Sequence, residues 1–138
     1  MITLTEIIVI IIIHWVADFV FQDKKWALGK SKNWNDLLTH TSIYSLIWFL
    51  AGMIYLAYSF TKEPIQPTSN LLPIFIFTVV TFITHTITDY FTSRIVIIKF
   101  ENKHYGSAIP NFGAFTIIDI DQVLHYIQLF ITYYLLKS

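Results

Sequence analysis

The stretch I-I-V-I-I-I-I (residues 7–13) runs without a break into H-W-V-A-D (residues 14–18), and this junction decides the fold. An unbroken β-branched run would suggest a strand in water. In lipid a lone strand leaves its backbone polar groups unsatisfied, so the same run must be helical. A helix that continues through His14 and Asp18 carries two ionisable groups into a membrane segment, where they are costly and rarely face lipid. The spacing recurs in H-T-I-T-D (His85, Asp89) and, reversed, in D-Q-V-L-H (Asp121, His125), while His40 stands alone at the head of another apolar stretch. These seven residues point to one shared polar site.

Composition supports a membrane solvent. The 138 residues are 55% hydrophobic and 13% charged, about half the roughly 25% charged residues of soluble domains. A soluble core of this size could not hide so much apolar surface. Formal charge is zero, which gives a nucleic-acid partner no electrostatic support. The absence of cysteine removes disulfides, thiolate metal sites and cysteine nucleophiles together. Residues 1–13 contain Glu6 and neither Lys nor Arg, and no small-residue cleavage site follows. The first run therefore reads as a retained helix, not a signal peptide.

Four segments reach the length of about 20 residues that a bilayer core requires. They cover about 3–22, 37–58, 71–98 and 115–136. The expected fold is all-α, an integral membrane four-helix bundle forming a single transmembrane domain over residues 1–138. The first connection, Asp23 to Asp36, mixes Lys24, Lys25, Lys30 and Lys32 with Trp26 and Trp34. It reads equally as a headgroup-level segment and as a solvated loop. The second, Ser59 to Asn70, contains Pro64 and Pro67 and reads as a plain turn. The third, Lys99 to Ala114, holds His104, Gly106, Pro110 and Gly113 and reads as an irregular loop with a solvated histidine. Tyr55, Tyr58, Tyr133 and Tyr134 read as an aromatic belt.

Seven basic residues (Lys24, Lys25, Lys30, Lys32, Arg94, Lys99, Lys103) flank the first and third connections, against Lys62 and Lys137 at the other end. The positive-inside rule assigns the seven to the cytoplasm. The expected location is the inner membrane, multi-pass, with both termini outside. Arg94 reads as a snorkelling anchor rather than a phosphate clamp, and Asp119 as a cap for the last helix.

This orientation layers the polar residues. At 1.5 Å per residue, His14, His85 and His125 lie about 12–15 Å from the cytoplasmic ends of their helices, and Asp18, Asp89 and Asp121 about 6–9 Å. His40 lies about 5 Å below the start of its helix. Helices one and three run toward the cytoplasm and helix four runs away, which is why the third pair is reversed. Extending the third helix to Phe100 would spoil the match, so a break or tilt is expected near Arg94.

Imidazole and carboxylate form the ligand set of a transition-metal centre. The expected ligands are His14, Asp18, His40, His85, Asp89, Asp121 and His125, with Gln22 and Gln122 as donors behind them. One pair alone would more simply be a helix–helix clamp; three pairs in one layer favour a metal, since Ser, Thr or Asn would clamp at less cost. Three histidines suit Zn²⁺; manganese, iron and nickel remain open, and seven ligands allow two ions. A metal with an open position would activate water, with Asp18, Asp89 or Asp121 as ligand or general base.

The segments H-W-V-A-D-F-V-F-Q (14–22), His40, H-T-I-T-D (85–89) and I-D-Q-V-L-H (120–125) together resemble a family of small bacterial and phage membrane proteins, domain of unknown function 3307. The resemblance covers nearly the whole chain and implies no activity. More loosely, the pattern is similar to bacterial inner-membrane proteins described as metal-dependent hydrolases, which raises the prospect of a hydrolase without naming its substrate.

The leading expectation is thus a metal-dependent hydrolase acting on a small-molecule or lipid substrate. A metal or proton transporter is the alternative, although the outer half offers only Glu6, Ser45, Thr78, Thr81, Gln128 and Thr132. A pore between protomers of a homo-oligomer stays open, as does a non-catalytic module with a structural His/Asp network.

Overall fold

Thr3 starts the first helix. Its hydroxyl accepts from the Glu6 amide, and the Glu6 carboxylate accepts from the Thr3 amide at 2.8 Å, a reciprocal capping box. In this computed structural model, which describes residues 1–62, 71–106 and 112–137, helix α1 runs Leu4–Trp15 and passes into a π-helical turn, Val16–Val20. Asp23 caps the short α2 (Lys24–Gly29) by accepting from the Lys25 amide at 2.7 Å. The Asn33 side chain accepts from the Asn35 amide at the head of α3 (Trp34–Lys62). Two long helices follow, α4 (Leu71–Glu101) and α5 (Ala114–Lys137). All regular structure among the described residues is helical. The turn expected around Pro64 and Pro67, and Pro110 of the third connection, lie outside the described residues.

Around the bundle, α1 touches α5 and α3, α5 touches α4, and α4 touches α3. This is a ring of four antiparallel neighbours with α1 and α4 diagonal. The packed stripes follow helical spacing: Ile10, His14 and Ala17; His40, Tyr44 and Trp48; Thr81, His85 and Asp89; Asp121, His125 and Leu129. Polarity is inverted relative to a water-soluble domain. Among the described residues seven hydrophobic ones are buried against twelve polar or charged ones, so the interior needs an internal hydrogen-bond network, and the apolar surface is compatible with a lipid bilayer. Ile54, Phe75, Ile87, Phe91 and Ile131 are all more than half exposed.

Three expectations require correction. First, α3, α4 and α5 are each long and apolar enough to cross a membrane, but the first segment is not one continuous helix over 3–22. It stops at Val20, and its 17 helical residues reach at most about 25 Å. Second, α4 does not break near Arg94. The guanidinium folds back on its own helix, donating to the Tyr90 carbonyl at 2.7 Å and lying 3.6 Å over the Tyr90 ring, which stacks on Trp34. With that charge satisfied locally, α4 runs on to Glu101, where Phe100 meets Tyr105 and Phe115. Third, Asp119 is exposed in the second turn of α5 and does not cap it. The segment 23–36, read as either a headgroup-level segment or a solvated loop, contains α2 and sends Lys30 inward.

Candidate metal centre

The π turn sets the site. Phe21 donates to the carbonyl of Val16, five residues back, so this turn holds one more residue than an α turn, a feature common at functional sites. Across it His14 Nε2 lies 4.0 Å from Asp18 Oδ2, slightly farther than in the pairs His85/Asp89 (3.5 Å) and His125/Asp121 (3.4 Å). Ala17, almost fully buried, has only a methyl to place where this turn meets α3.

Asp18 Oδ1 lies 3.2 Å from His40 Nε2 and 3.7 Å from His85 Nε2, and the two ring nitrogens are 3.1 Å apart. These three atoms form a triangle from three different helical segments. Donors 2.0–2.1 Å from a tetrahedral ion are separated by roughly 3.4 Å; around an octahedral ion with similar bond lengths, neighbours would be roughly 3.0 Å apart. The observed edges of 3.1, 3.2 and 3.7 Å are compatible with one ion held by all three atoms and do not select between the two geometries. Asp89 Oδ2 stands 3.1 Å from His40 Nε2 and 3.5 Å from His85 Nε2, next to the triangle.

A second group, His85, Asp89 and His125, is also compact enough to hold an ion. Its geometry is poorer. The His85 and His125 rings stack at 3.9 Å with an 18° tilt; nitrogen lone pairs in nearly parallel planes do not converge, and one lone pair of His85 cannot serve two ions.

Several polar atoms here lack hydrogen bonds. Asp18 Oδ1, Asp89 Oδ1 and His125 Nε2 are buried without a partner meeting hydrogen-bond geometry among the described residues. Each has an oppositely polar atom within 3.2–3.5 Å, so proximity without direction is the pattern. Buried unsatisfied groups are rare and call for a cause such as an ion. Asp18, Asp89 and Asp121 are all buried, and Lys30 is the one ammonium reaching them among the described residues, at 2.9 Å from Asp89 Oδ2. Two negative charges remain, which either a divalent cation or protons on two of the adjoining histidines would balance.

Supporting contacts orient the ligands. Tyr44 OH lies 2.7 Å from His14 Nδ1, and His14 Nε2 lies 2.9 Å from Gln122 Oε1. Gln122 Nε2 in turn donates to Asp18 Oδ2 at 3.1 Å and Asp121 Oδ2 at 3.2 Å. Because the amide oxygen accepts, His14 donates from Nε2 and Tyr44 donates to Nδ1. Thr92 closes the network by donating to Asp121 Oδ1 at 2.5 Å. Gln22 contacts His40 Nδ1 at 3.3 Å. Rotated to present Oε1, its amide would accept the Nδ1–H that leaves Nε2 free for a metal.

The structure thus brings Asp18, His40, His85, Asp89 and His125 into the two compact groups, with His14 against them through Gln122 and Asp121 through both Gln122 and His125. Both glutamines singled out in sequence touch the expected ligands. Lys30, Tyr44 and Thr92 were not anticipated. Tyr44 shared a signal with His40, four residues earlier on the same helical face; a lysine in a polar connection gives none. Burial alone would push the Lys30 ammonium down, but Asp89, Asp18 and Asp121 outweigh it and hold its pKa above the ordinary lysine value.

The family with protein of unknown function as its description, DUF3307, matches residues 7–138. The chain belongs to the DUF3307 family. Membership spans both compact groups and the elements that carry them, and DUF3307 brings with it no assigned activity. No curated protein and no solved structure matches the chain.

Proposed function

We propose that this chain is a membrane-embedded divalent-metal protein, with metal-dependent hydrolysis the activity its site accommodates best. The observation that carries the reading is the triangle of Asp18 Oδ1, His40 Nε2 and His85 Nε2, with edges of 3.1–3.7 Å. Three protein ligands and an open fourth position are the pattern of catalytic zinc, which lowers the pKa of bound water to about 7. Asp89 Oδ2, 3.1 Å from His40 Nε2 and 3.5 Å from His85 Nε2, would be a fourth ligand or the base, with Asp121 behind it on His125. His14 would hold Gln122 rather than the ion. The seven-to-two split of basic residues supports an inner-membrane protein with this site toward the cytoplasm and both termini outside.

The test is elemental analysis of protein purified without chelator, with variants. One ion per chain is expected in wild type and in His14→Ala, and none in Asp18→Ala, His40→Ala or His85→Ala. Loss of a ligand lowers affinity by more than the roughly 10–100-fold of a supporting residue. Metal-free wild type would refute the reading and leave a structural network. Metal-loaded wild type that cleaves no ester or phosphoester in a broad panel would refute the hydrolase.

A second reading, proton or metal translocation, has one specific observation behind it. In the outer half Gln128 Nε2 donates to Thr81 Oγ1 at 3.3 Å and Thr132 Oγ1 at 3.2 Å, a buried polar thread above His85. Ion flux in proteoliposomes, with Gln128→Leu as the blocking variant, separates it from hydrolysis.

A further inference from the structure

Between the π turn, α2, and the facing sides of α4 and α5 lies a cavity of about 290 Å³. This is near the lower bound of the roughly 300–1,000 Å³ usual for small-ligand sites. It lies beside the ligand triangle and shares Asp18 with it. Its polar lining includes Asp18, Lys30, Ser93, Asp121 and Gln122. Its apolar lining comes from Phe19, Leu28, Val96, Phe100 and Ile118, of which Phe19 and Leu28 are at least half exposed.

A small polar solute would not need apolar walls from four segments. A purely apolar chain would not be matched with an ammonium and two carboxylates. An amphiphile satisfies both parts. The sign of its head follows from what is already taken. Gln122 holds both carboxylates and Thr92 also holds Asp121, and an ion on Asp18 would offset their charge. Ser93 Oγ is buried with no hydrogen-bond partner among the described residues. Lys30 is bound to Asp89, but a divalent ion beside that carboxylate would repel the ammonium and free it. Lys30 is then the cation left over in a lining that also offers Ser93, Ser31 and Gln22, which calls for an anion, and a phosphate supplies three acceptor oxygens to a lysine point charge.

We propose, resting on the metal reading above, that this cavity binds a single-chain amphiphile with a phosphate head. The head sits on Lys30 and Ser93 and the chain runs along Phe19, Val96 and Phe100. Ion and amphiphile bind cooperatively, since the ion releases Lys30 from Asp89 for the head.

The experiment measures equilibrium binding of dodecyl phosphate, inorganic phosphate and dodecyltrimethylammonium to the full chain in zwitterionic nanodiscs, with and without Zn²⁺, and counts metal in the same samples. One dodecyl phosphate per zinc-loaded chain is expected, at least about tenfold tighter than inorganic phosphate and than to the metal-free protein. Lys30→Met should lose about tenfold or more while keeping its ion, Lys30→Arg should recover most of it, and Val96→Trp, which fills the cavity, should abolish binding. Equal affinity for inorganic phosphate, preference for the cationic amphiphile, or indifference to both Lys30→Met and Val96→Trp would overturn the proposal. A loaded ion with no dodecyl phosphate bound overturns this inference alone; a protein that takes up no metal overturns the metal reading and this one with it.

Discussion

Gln122 is the residue on which the polar network turns. Its oxygen accepts from His14 and its nitrogen donates to Asp18 and Asp121, so one amide fixes the orientation of three ionisable side chains. Gln122→Leu keeps the volume and removes both roles. The expected result is a metal affinity lowered by roughly 10–100-fold, the range for supporting residues, with the ion still bound at high concentration. Chelator competition measures this, and an unchanged affinity would detach Gln122 from the site. The ionisable members of this network were legible because each is expensive in a membrane segment and each pair keeps helical spacing. Tyr44 and Lys30 were not. A tyrosine in an apolar helix resembles any core aromatic, and nothing in K-S-K (residues 30–32) tells Lys30, which reaches Asp89, from Lys32.

At the scale of elements, the helices themselves were legible from apolar length, to within a few residues at most ends. The π turn was not, because no local sequence rule marks it. The sequence picture of a histidine layer above an aspartate layer is also incomplete: His14 and Asp18 both meet Gln122, and Asp18 goes on to reach His40. The end of α4 shows a second local feature. Lys103 has φ of 55°, and the His104 amide donates to the Lys99 carbonyl at 2.8 Å, closing the helix in the left-handed conformation that glycine adopts without penalty. That conformation costs a residue with a Cβ about 1–2 kcal/mol. Lys103→Gly should therefore raise stability by about 1 kcal/mol, less the added freedom of the unfolded chain. Thermal unfolding in detergent reads this directly, and a lowered midpoint would mean that the lysine side chain holds the turn in some other way.

For the whole molecule, the number of crossings depends on the first segment, which by length alone is short for a bilayer. Its contacts say more than its length. At one end the Glu6 carboxylate accepts from Tyr133 at 2.6 Å and pairs with Lys137 at the last turn of α5. At the other end Asp18 meets His40 in the second turn of α3. The segment therefore covers the distance between the end of one long helix and the start of another. If α3 and α5 cross, it crosses with them, in a locally thinned bilayer or with its flanking residues reaching out to the interface. A chain without cysteine gives a clean test. Single cysteines at Ile2 and Lys25 bracket the segment, and a membrane-impermeant maleimide should label Ile2→Cys in intact spheroplasts and Lys25→Cys only after permeabilisation. Labelling of both from the same side would make this a three-crossing protein and would separate Glu6 from Lys137. Reversed labelling would keep four crossings and turn the metal site, with the cavity beside it, toward the outside.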